Sequence, residues 1–308
     1  MRGKGSWPAR FADWRGSPYP ARVIEAFVSP AALRGGDHAY AVTRSEDDRS
    51  WLARAFVENA ERADARALYL TEGPADDVGR LGVRRRPRHP GGLVVVDAAP
   101  VLAPGDAFKP EIYTRALESA VDASLRDGFT GAHLLIETGW SLGHIRNADA
   151  WWELEHVLGE MALLQRGNSV LVCQFDQEAF GSVRLQRAAR SHRVEVVANA
   201  NGFPAAAPMR VHREDDDVLY VVGELDRGTA NLLATACRGS VGTVTIDLAE
   251  ATFFDAGAHR VISRIAKTCK RVRLRNAPAI VKRVVFALQS EAGLQLEIED
   301  EGLSLRVG

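Results

Sequence analysis

The sequence predicts an α/β protein of two units, each with a largely parallel sheet covered by helices. Three observations support this prediction. The chain has 308 residues, more than one average domain. Short apolar runs alternate with longer stretches whose apolar residues recur at helical spacing, a pattern typical of parallel sheets. A segment rich in alanine and proline interrupts this alternation at residues 201–208, which we interpret as a linker.

The first unit, residues 31–200, follows an N-terminal arm of residues 1–30 that shows no clear periodicity. Strands are predicted at residues 38–42, 67–70, 91–97, 133–137, 170–176 and 194–197. Helices are predicted after Ser45, a favourable N-cap, after Pro110, which suits a first helical turn, and over residues 150–165 and 183–190.

The second unit, residues 209–308, has a different element order. Buried strands are predicted around residues 218–226 and 243–248, and the last strand ends at residues 296–298. The full predicted order is strand, strand, helix, strand, helix, strand, helix, strand.

The composition favours a cytoplasmic protein without nucleic-acid or membrane partners. The formal net charge is −1, which gives no overall attraction to either polyanion. No apolar run approaches the ~20 residues that cross a bilayer, and the N-terminus lacks the apolar core of a signal peptide. The arginine-rich residues 84–89 are predicted to form a solvated loop because prolines interrupt and follow them. We expect Cys173, Cys237 and Cys269 to be buried, reduced thiols, since they are far apart and lie in apolar elements.

The second unit resembles the STAS domain of bacterial anti-sigma-factor antagonists. The resemblance rests on the strand at 218–226, the strand at 243–248, and the strand-to-helix turn at 253–257, in this order and at this spacing. It implies a STAS-type α/β fold and a protein partner, either an anti-sigma factor or a sensor histidine kinase. A homodimer is also compatible with it.

The turn that normally carries the STAS phosphorylation site has no hydroxyl group here. In the family it usually reads Asp-Ser-Ser-Gly, and a serine accepts phosphate from a partner kinase. The matching residues are Asp255, Ala256, Gly257 and Ala258. With Asp226 from the preceding loop, Asp255, Ala256 and Gly257 are predicted to form a degenerate phosphosite or partner surface. Asp255 has a second interpretation, as a simple helix cap.

The first unit resembles the MEDS domain, a sensory module of methanogen and methylotroph regulators that also occurs beside STAS domains in actinobacterial signalling proteins. The resemblance rests on residues 36–40, 137–142 and 173–176 and covers roughly 31–200. It implies a RecA-like parallel sheet between helices. However, a phosphate-binding loop of the form Gly-x-x-x-x-Gly-Lys-Ser/Thr is absent, so we expect neither ATP hydrolysis nor a bound cofactor.

A small-molecule pocket is predicted at the strand ends of the first unit. His38, Glu137, Trp140 and Gln174 all lie at or near predicted strand ends, where open parallel sheets place their ligands. The alternative is that His38 and Trp140 are core residues. Asp37, His38 and Glu137 offer metal-ligating atoms, but the sequence contains no closely spaced His/Cys motif, and we expect no metal.

A serine hydrolase is the runner-up hypothesis. Residues 139–143 fit Gly-x-Ser-x-Gly after a buried strand, with Ser141 as the nucleophile and Asp176 and His192 as later triad members. The polar residues 144–147 are a poor start for the helix that follows a nucleophile elbow, and the interval from Asp176 to His192 is short for the hydrolase topology.

Together these patterns predict a non-enzymatic cytoplasmic regulator. Its first unit would sense a small molecule or a conformational signal, and its second would bind an anti-sigma factor or sensor kinase. Without an acceptor serine, the second unit is either a constitutive binder regulated by the first or a scaffold or dimerisation unit.

Overall fold

The structure is a computed structural model that describes residues 24–73, 90–106, 108–146, 148–159, 161–198, 208–214, 218–288, 296–300 and 303–307. The arginine-rich run at 84–89, most of the predicted N-terminal arm and all of the predicted linker except Pro208 lie outside these residues.

All the described strands belong to one sheet of thirteen strands. They are β1 Ala26–Val28, β2 His38–Thr43, β3 Arg66–Thr71, β4 Leu93–Asp97, β5 Ala132–Glu137, β6 Val170–Asp176, β7 Val194–Val196, β8 Met209–Glu214, β9 Val218–Leu225, β10 Thr243–Phe254, β11 Arg271–Arg275, β12 Leu296–Asp300 and β13 Leu303–Val307. From edge to edge their order is β13-β12-β11-β10-β9-β8-β1-β7-β2-β6-β5-β3-β4. The predicted α/β class with a large, mostly parallel sheet is confirmed.

The sheet has a first half and a second half that meet at β1. In the first half, β4, β3, β5, β6, β2, β7 and β1 are all parallel to their neighbours. In the second half, β9, β10, β11 and β12 are parallel, whereas β8 is antiparallel to β9. β1 pairs antiparallel with β8, so Ala26 lies opposite Val194 on one side and opposite His212 on the other. A short segment of the predicted arm therefore joins the two halves.

Helices pack on the sheet through the apolar residues that recur on one side of each helix. The α-helices of the described residues are α1 Glu46–Arg62, α2 Ala98–Leu102, α3 Pro110–Arg126, α4 Trp140–His144, α5 Ala148–Leu158, α6 Gln177–Ser191, α7 Ala230–Ala236, α8 Ala256–Thr268 and α9 Ala279–Ala287. Short 3-10 helices span Pro30–Ala32, Pro104–Asp106 and Ala162–Gln165. In the first half, α1 packs on one face of the sheet and α3, α5 and α6 pack on the other. In the second half, α7, α8 and α9 share one apolar core with β8 to β12.

Several predicted elements differ in extent from the structure, and strands β1 and β13 were not predicted. The helix predicted over 183–190 spans Gln177–Ser191, with Gly181 in a non-helical conformation (φ 64°, ψ 170°) inside it. The helix predicted over 150–165 ends at Leu158, and Met161 takes an extended backbone with φ −71° and ψ 138° before a 3-10 turn begins. Gly159 follows the helix, and glycine is a poor helix former. The strand predicted over 243–248 continues to Phe254, with two irregularities in its pairing to β9.

The three cysteines are free and buried, as the sequence predicted. Within the described ranges, no helix combines the length and apolar character needed to cross a bilayer.

Candidate functional site

Four side chains of the first half meet in a fully buried cluster, here called the His–Glu–Cys cluster. It consists of His38 from β2, Glu155 from α5, Cys173 from β6 and His192, the residue that follows α6. Glu155, Cys173 and His192 are 0% exposed and His38 is 5% exposed. One potential ligand atom from each residue lies within 4.8 Å of all the others.

The Oε2 atom of Glu155 is the common contact in this cluster. The Cys173 thiol donates a hydrogen bond to it at 3.3 Å. The Nε2 atoms of His38 and His192 lie 3.5 Å and 3.4 Å from the same oxygen. His38 Nε2 is also 3.6 Å from Cys173 Sγ. The four polar atoms thus surround one small volume.

The orientation of His192 is fixed by a neighbour on its own helix. Its Nδ1 lies 2.8 Å from the carbonyl oxygen of Ala188. A carbonyl can only accept, so the proton of this hydrogen bond belongs to Nδ1, and Nε2 carries the lone pair in the neutral ring. Among the described residues, His192 Nε2 and Glu155 Oε1 have no hydrogen-bond partner.

Burial sets the protonation of the Cys173 thiol, whereas the two histidines set that of Glu155. Burial raises the pKa of the Cys173 thiol well above its ordinary value, and the Glu155 carboxylate raises it further. Burial also raises the pKa of Glu155, but the neighbouring His192 and His38 outweigh burial and hold that pKa at about 2. The cluster therefore contains an ionised carboxylate beside a protonated thiol.

An aromatic cluster made of Phe108, Tyr113, Trp140 and Trp151 lies on the same side of the sheet. The ring centroids of Trp140 and Trp151 are 5.6 Å apart, and Tyr113 and Phe108 each lie 5.7 Å from Trp151. The Tyr113 hydroxyl and both indole N–H groups are buried without a hydrogen-bond partner among the described residues. Burial raises the pKa of Tyr113, and the nearby Cys173 and Glu155 contribute to the increase. Tyr113, Trp140, Trp151 and Cys173 also belong to one hydrophobic core, so the two clusters are neighbours.

The four residues predicted to line one pocket are divided between the two faces of the sheet. His38 belongs to the His–Glu–Cys cluster, and Trp140 belongs to the aromatic cluster on the same face. Glu137 and Gln174 are paired in register on neighbouring strands. Successive residues of a strand point to opposite faces, so Gln174 and Glu137 lie on the face opposite Cys173.

Glu137 has its own partners on that opposite face. Its carboxylate accepts hydrogen bonds from the Tyr69 hydroxyl and, at 2.6 Å, from the backbone N–H of Glu72. Arg49 Nε lies 3.8 Å from it. The side-chain oxygen of Gln174 has no hydrogen-bond partner among the described residues. The structure thus brings Glu137 and Gln174 together and separates them from His38 and Trp140.

Ser141 lies in the regular helix α4 and is 4% exposed. A nucleophile elbow instead holds its serine on a strained turn with the hydroxyl exposed. In the described chain, Asp176 accepts from the N–H of Ala179, and His192 is held by Ala188 and Glu155. None of these contacts of Asp176 and His192 involves Ser141.

The turn before α8 in the second half is organised by Asp255. Its Oδ1 accepts from the N–H of Ala258 at 2.7 Å, which caps the helix, and its Oδ2 lies 3.4 Å from the N–H of Arg227. Asp226 closes the neighbouring loop, because its Oδ1 accepts from the N–H groups of Gly228 and Thr229, both at 2.8 Å. The structure thus brings the two predicted aspartates to one pair of adjoining turns.

The small residues after Asp255 have different surroundings. Ala256 is exposed at the first position of α8. A Cβ atom added to Gly257 would lie 2.5 Å from Arg227 Cβ and 2.8 Å from Arg227 Cα, so glycine is needed for the close approach of the two turns.

Of the four residues of the His–Glu–Cys cluster, only His38 belongs to the predicted pocket. The sequence predicts His192 only as a member of the hydrolase triad and Cys173 only as a buried thiol, and it predicts no role for Glu155. The four members come from four separate elements, so no spacing along the chain reveals them. A helical pattern would assign Glu155 to the solvent, as it does most glutamates.

Comparisons with known proteins place the first half in a family. The family model described as MEDS, for MEthanogen/methylotroph, DcmR Sensory domain, matches residues 37–193. No curated protein matches the sequence. The matched region includes all four residues of the His–Glu–Cys cluster.

Two solved structures are similar at low identity. A KaiC-like protein from the hyperthermophilic archaeon Pyrococcus horikoshii OT3 is 13% identical, with a TM-score of 0.38 over 66% of this chain and 88% of that chain. The cytoplasmic domain of the type VII secretion ATPase EccC from Thermomonospora curvata is also 13% identical, with a TM-score of 0.32 over 63% of this chain and 25% of that chain.

Proposed function

Because this chain belongs to the MEDS family of sensory domains, we propose that it is a non-catalytic signalling regulator. Its first half senses a small molecule or a conformational signal. Its second half, which resembles a STAS domain, binds an anti-sigma factor or a sensor histidine kinase. The observation that carries the proposal is the continuous sheet that joins a sensory half to a binding half through β1.

The element order of the second half supports a STAS-like binding role. From β8 to β12, two strands are followed by alternating helices and strands in the predicted order, and α7, α8 and α9 all pack into one core with the sheet. Strand β13 is an addition to the predicted order. The turn before α8 carries the exposed Ala256 where the antagonists carry a phosphorylated serine. Phosphate cannot be added at a methyl group, so control of partner binding passes to the first half.

The connection between the halves supports such control. Arg210 of β8 forms a buried ion pair with Asp37, the residue that immediately precedes the clustered His38. A rearrangement of the cluster would therefore displace a residue that is bonded directly to the second half. A structural change at His38 could thus reach the second half through the adjacent residue Asp37 and its ion pair with Arg210.

A co-purification experiment with the full-length protein tests the proposal. The immobilised protein is exposed to lysate of its host, and the recovered proteins are identified by mass spectrometry. We expect recovery of an anti-sigma factor or histidine kinase, and a large loss of it with Ala256→Asp, which places a negative charge at the turn. Val241→Asp is the matched control, because Val241 is 79% exposed and precedes the opposite end of β10.

Two results would contradict the proposal. One is that neither class of partner is recovered by the wild type. The other is that Ala256→Asp and Val241→Asp retain the partner equally well, since the turn would then not contribute to binding.

A further inference from the structure

We propose that the His–Glu–Cys cluster is a tetrahedral Zn²⁺ site, with His38 Nε2, Glu155 Oε2, Cys173 Sγ and His192 Nε2 as its ligands. This inference does not depend on the proposed signalling function. It rests on the distances, the donor types, the hydrogen bonds and the charge balance of the four residues.

Four of the six separations among the ligand atoms match those of a tetrahedral site, and the other two are no longer than 4.8 Å. Zinc bonds of about 2.0 Å to nitrogen and oxygen and about 2.3 Å to sulfur place the ligand atoms about 3.3 to 3.6 Å apart. The four separations measured here are 3.3 Å for Sγ to Oε2, 3.5 Å and 3.4 Å for the two Nε2 atoms to Oε2, and 3.6 Å for His38 Nε2 to Sγ. These four separations therefore already suit a bound zinc ion.

The donor set selects the class of metal. Two imidazoles, one thiolate and one carboxylate are ligands that zinc accepts in a four-coordinate site. Magnesium and calcium require mainly oxygen ligands and larger coordination numbers. The mixture of nitrogen, sulfur and oxygen donors therefore favours zinc over these hard cations.

The hydrogen bond of His192 to the Ala188 carbonyl is of the kind that orients a histidine ligand toward a metal. Metal-binding histidines usually donate their second ring N–H to a carbonyl or carboxylate, which directs the other nitrogen to the metal. The Nδ1–H of His192 makes such a bond to the Ala188 carbonyl, and its Nε2 has no hydrogen-bond partner among the described residues. A buried lone pair that faces a carboxylate oxygen at 3.4 Å is unfavourable unless a proton or a metal lies between them.

A divalent ion also balances the charge of the site. Glu155 is completely buried, and its described ion-pair partners are His38 and His192 rather than a lysine or an arginine. One Zn²⁺ with one carboxylate, one thiolate and two neutral imidazoles has a net charge of zero. This avoids the large cost of an unbalanced charge in the protein interior.

The predicted role of the metal is structural. All four tetrahedral positions are filled by protein atoms, which is typical of structural zinc sites, whereas catalytic sites keep a position for water or substrate. The ion would connect β2 and β6 of the sheet to α5 and to the end of α6. On binding, the Cys173 thiol loses its proton to solvent as the S–Zn bond forms.

Cobalt substitution of the full-length protein tests the site. The protein is stripped with a chelator, and its fold is checked by circular dichroism before Co²⁺ is added as a spectroscopic probe for zinc. We expect one Co²⁺ per chain, the visible bands of tetrahedral cobalt, and a thiolate-to-cobalt charge-transfer band in the near ultraviolet. Zinc should displace the cobalt and raise the melting temperature.

Matched variants assign the ligands. Cys173→Ser should lose the charge-transfer band, and His192→Gln should lose cobalt binding. Cys237→Ser and His133→Gln should retain both signals, because Cys237 and His133 are buried outside the cluster. The proposal is overturned if the folded, stripped wild type takes up neither Co²⁺ nor Zn²⁺, or if Cys173→Ser keeps the charge-transfer band.

If Cys173→Ser does not fold, X-ray absorption spectroscopy of the zinc-loaded wild type tests whether a sulfur atom is bound to zinc. One sulfur and three nitrogen or oxygen neighbours around zinc would support the site. A shell of nitrogen and oxygen atoms alone would overturn it.

Discussion

Arg210 donates two hydrogen bonds to the carboxylate of Asp37, at 2.9 Å and 3.0 Å, across the junction between the two halves of the sheet. Both side chains are 9% exposed. Asp37 Oδ2 also accepts from the N–H of Arg34 at 3.0 Å, so the carboxylate is held on both sides. Paired, planar hydrogen bonds of this kind fix the relative position of two elements as well as their charge.

Replacing Arg210 with methionine should destabilise the whole protein. Removing one partner of a buried ion pair leaves an uncompensated charge and typically costs about 3 to 5 kcal/mol. Arg210→Lys should lose less, because lysine keeps the charge but cannot form the paired geometry. Urea unfolding measures both variants. A change in the free energy of unfolding below about 0.5 kcal/mol for Arg210→Met, the range of ordinary surface substitutions, would contradict this account.

His133 should make stability depend on pH between about 4 and 6.5. Burial lowers its pKa from 6.5 to about 4 in the folded protein. Between these values the unfolded chain binds more protons than the folded one, so stability is greatest above pH 6.5 and falls as the pH decreases towards 4. At 1.36 kcal/mol per pKa unit, the full loss is about 3 kcal/mol.

Chemical unfolding of wild type and His133→Gln at several pH values tests this dependence. Other histidines also titrate in this range, so the informative quantity is the difference between the two proteins. That difference should change by about 3 kcal/mol from pH 7 to pH 4. Parallel stability curves would show that His133 is not the group responsible.

Replacement by serine should destabilise the protein at Gly257 but have almost no effect on stability at Ala256. Gly257→Ser places a Cβ atom 2.5 Å from Arg227 Cβ, and forced overlaps of this kind cost about 1 to 3 kcal/mol. Ala256→Ser adds an exposed hydroxyl and should change the free energy of unfolding by less than about 0.5 kcal/mol. Thermal unfolding of the two variants distinguishes them. Equal stability would show that the two turns separate at little cost.

Asp255→Ala should cost about 1 kcal/mol, because it removes the acceptor for the Ala258 N–H at the start of α8. Asp255→Asn is the matched control, since asparagine caps helices as well as aspartate does. If both variants lose partner binding while only Asp255→Ala loses stability, the carboxylate has a recognition role in addition to capping. If Asp255→Ala retains full stability, the cap is unimportant.

Strands β2, β5 and β6 of the first half could be predicted from local apolar runs because these strands are buried on both faces, whereas β1 was not predicted. β6, for example, coincides with the predicted strand at 170–176. The resemblance of this region to the MEDS family is also confirmed by the family match to residues 37–193. The strands and the family motifs are both encoded in short stretches of sequence, and hydrophobic periodicity identifies secondary structure over such stretches.

The His–Glu–Cys cluster could not be predicted in the same way. His38 and Cys173 become neighbours because of the register between β2 and β6, in which Tyr40 lies opposite Cys173. The register depends on how two strands pair, so it cannot be deduced from the sequence of either β2 or β6 alone. Register also places Gln174 beside Glu137, on the face away from Trp140, and this separation divides the predicted pocket.

The position of β1 affects any attempt to produce the halves as separate proteins. A fragment that begins at Met209 would lack Ala26–Val28, and the free edge of β8 would present unpaired N–H and C=O groups to any passing chain. A fragment that retains β1 but ends before Met209 would expose the other edge of that strand. Either truncation therefore risks edge-to-edge aggregation. To study the second half in isolation, Ala26–Val28 should be linked through a designed loop to the fragment that begins with β8.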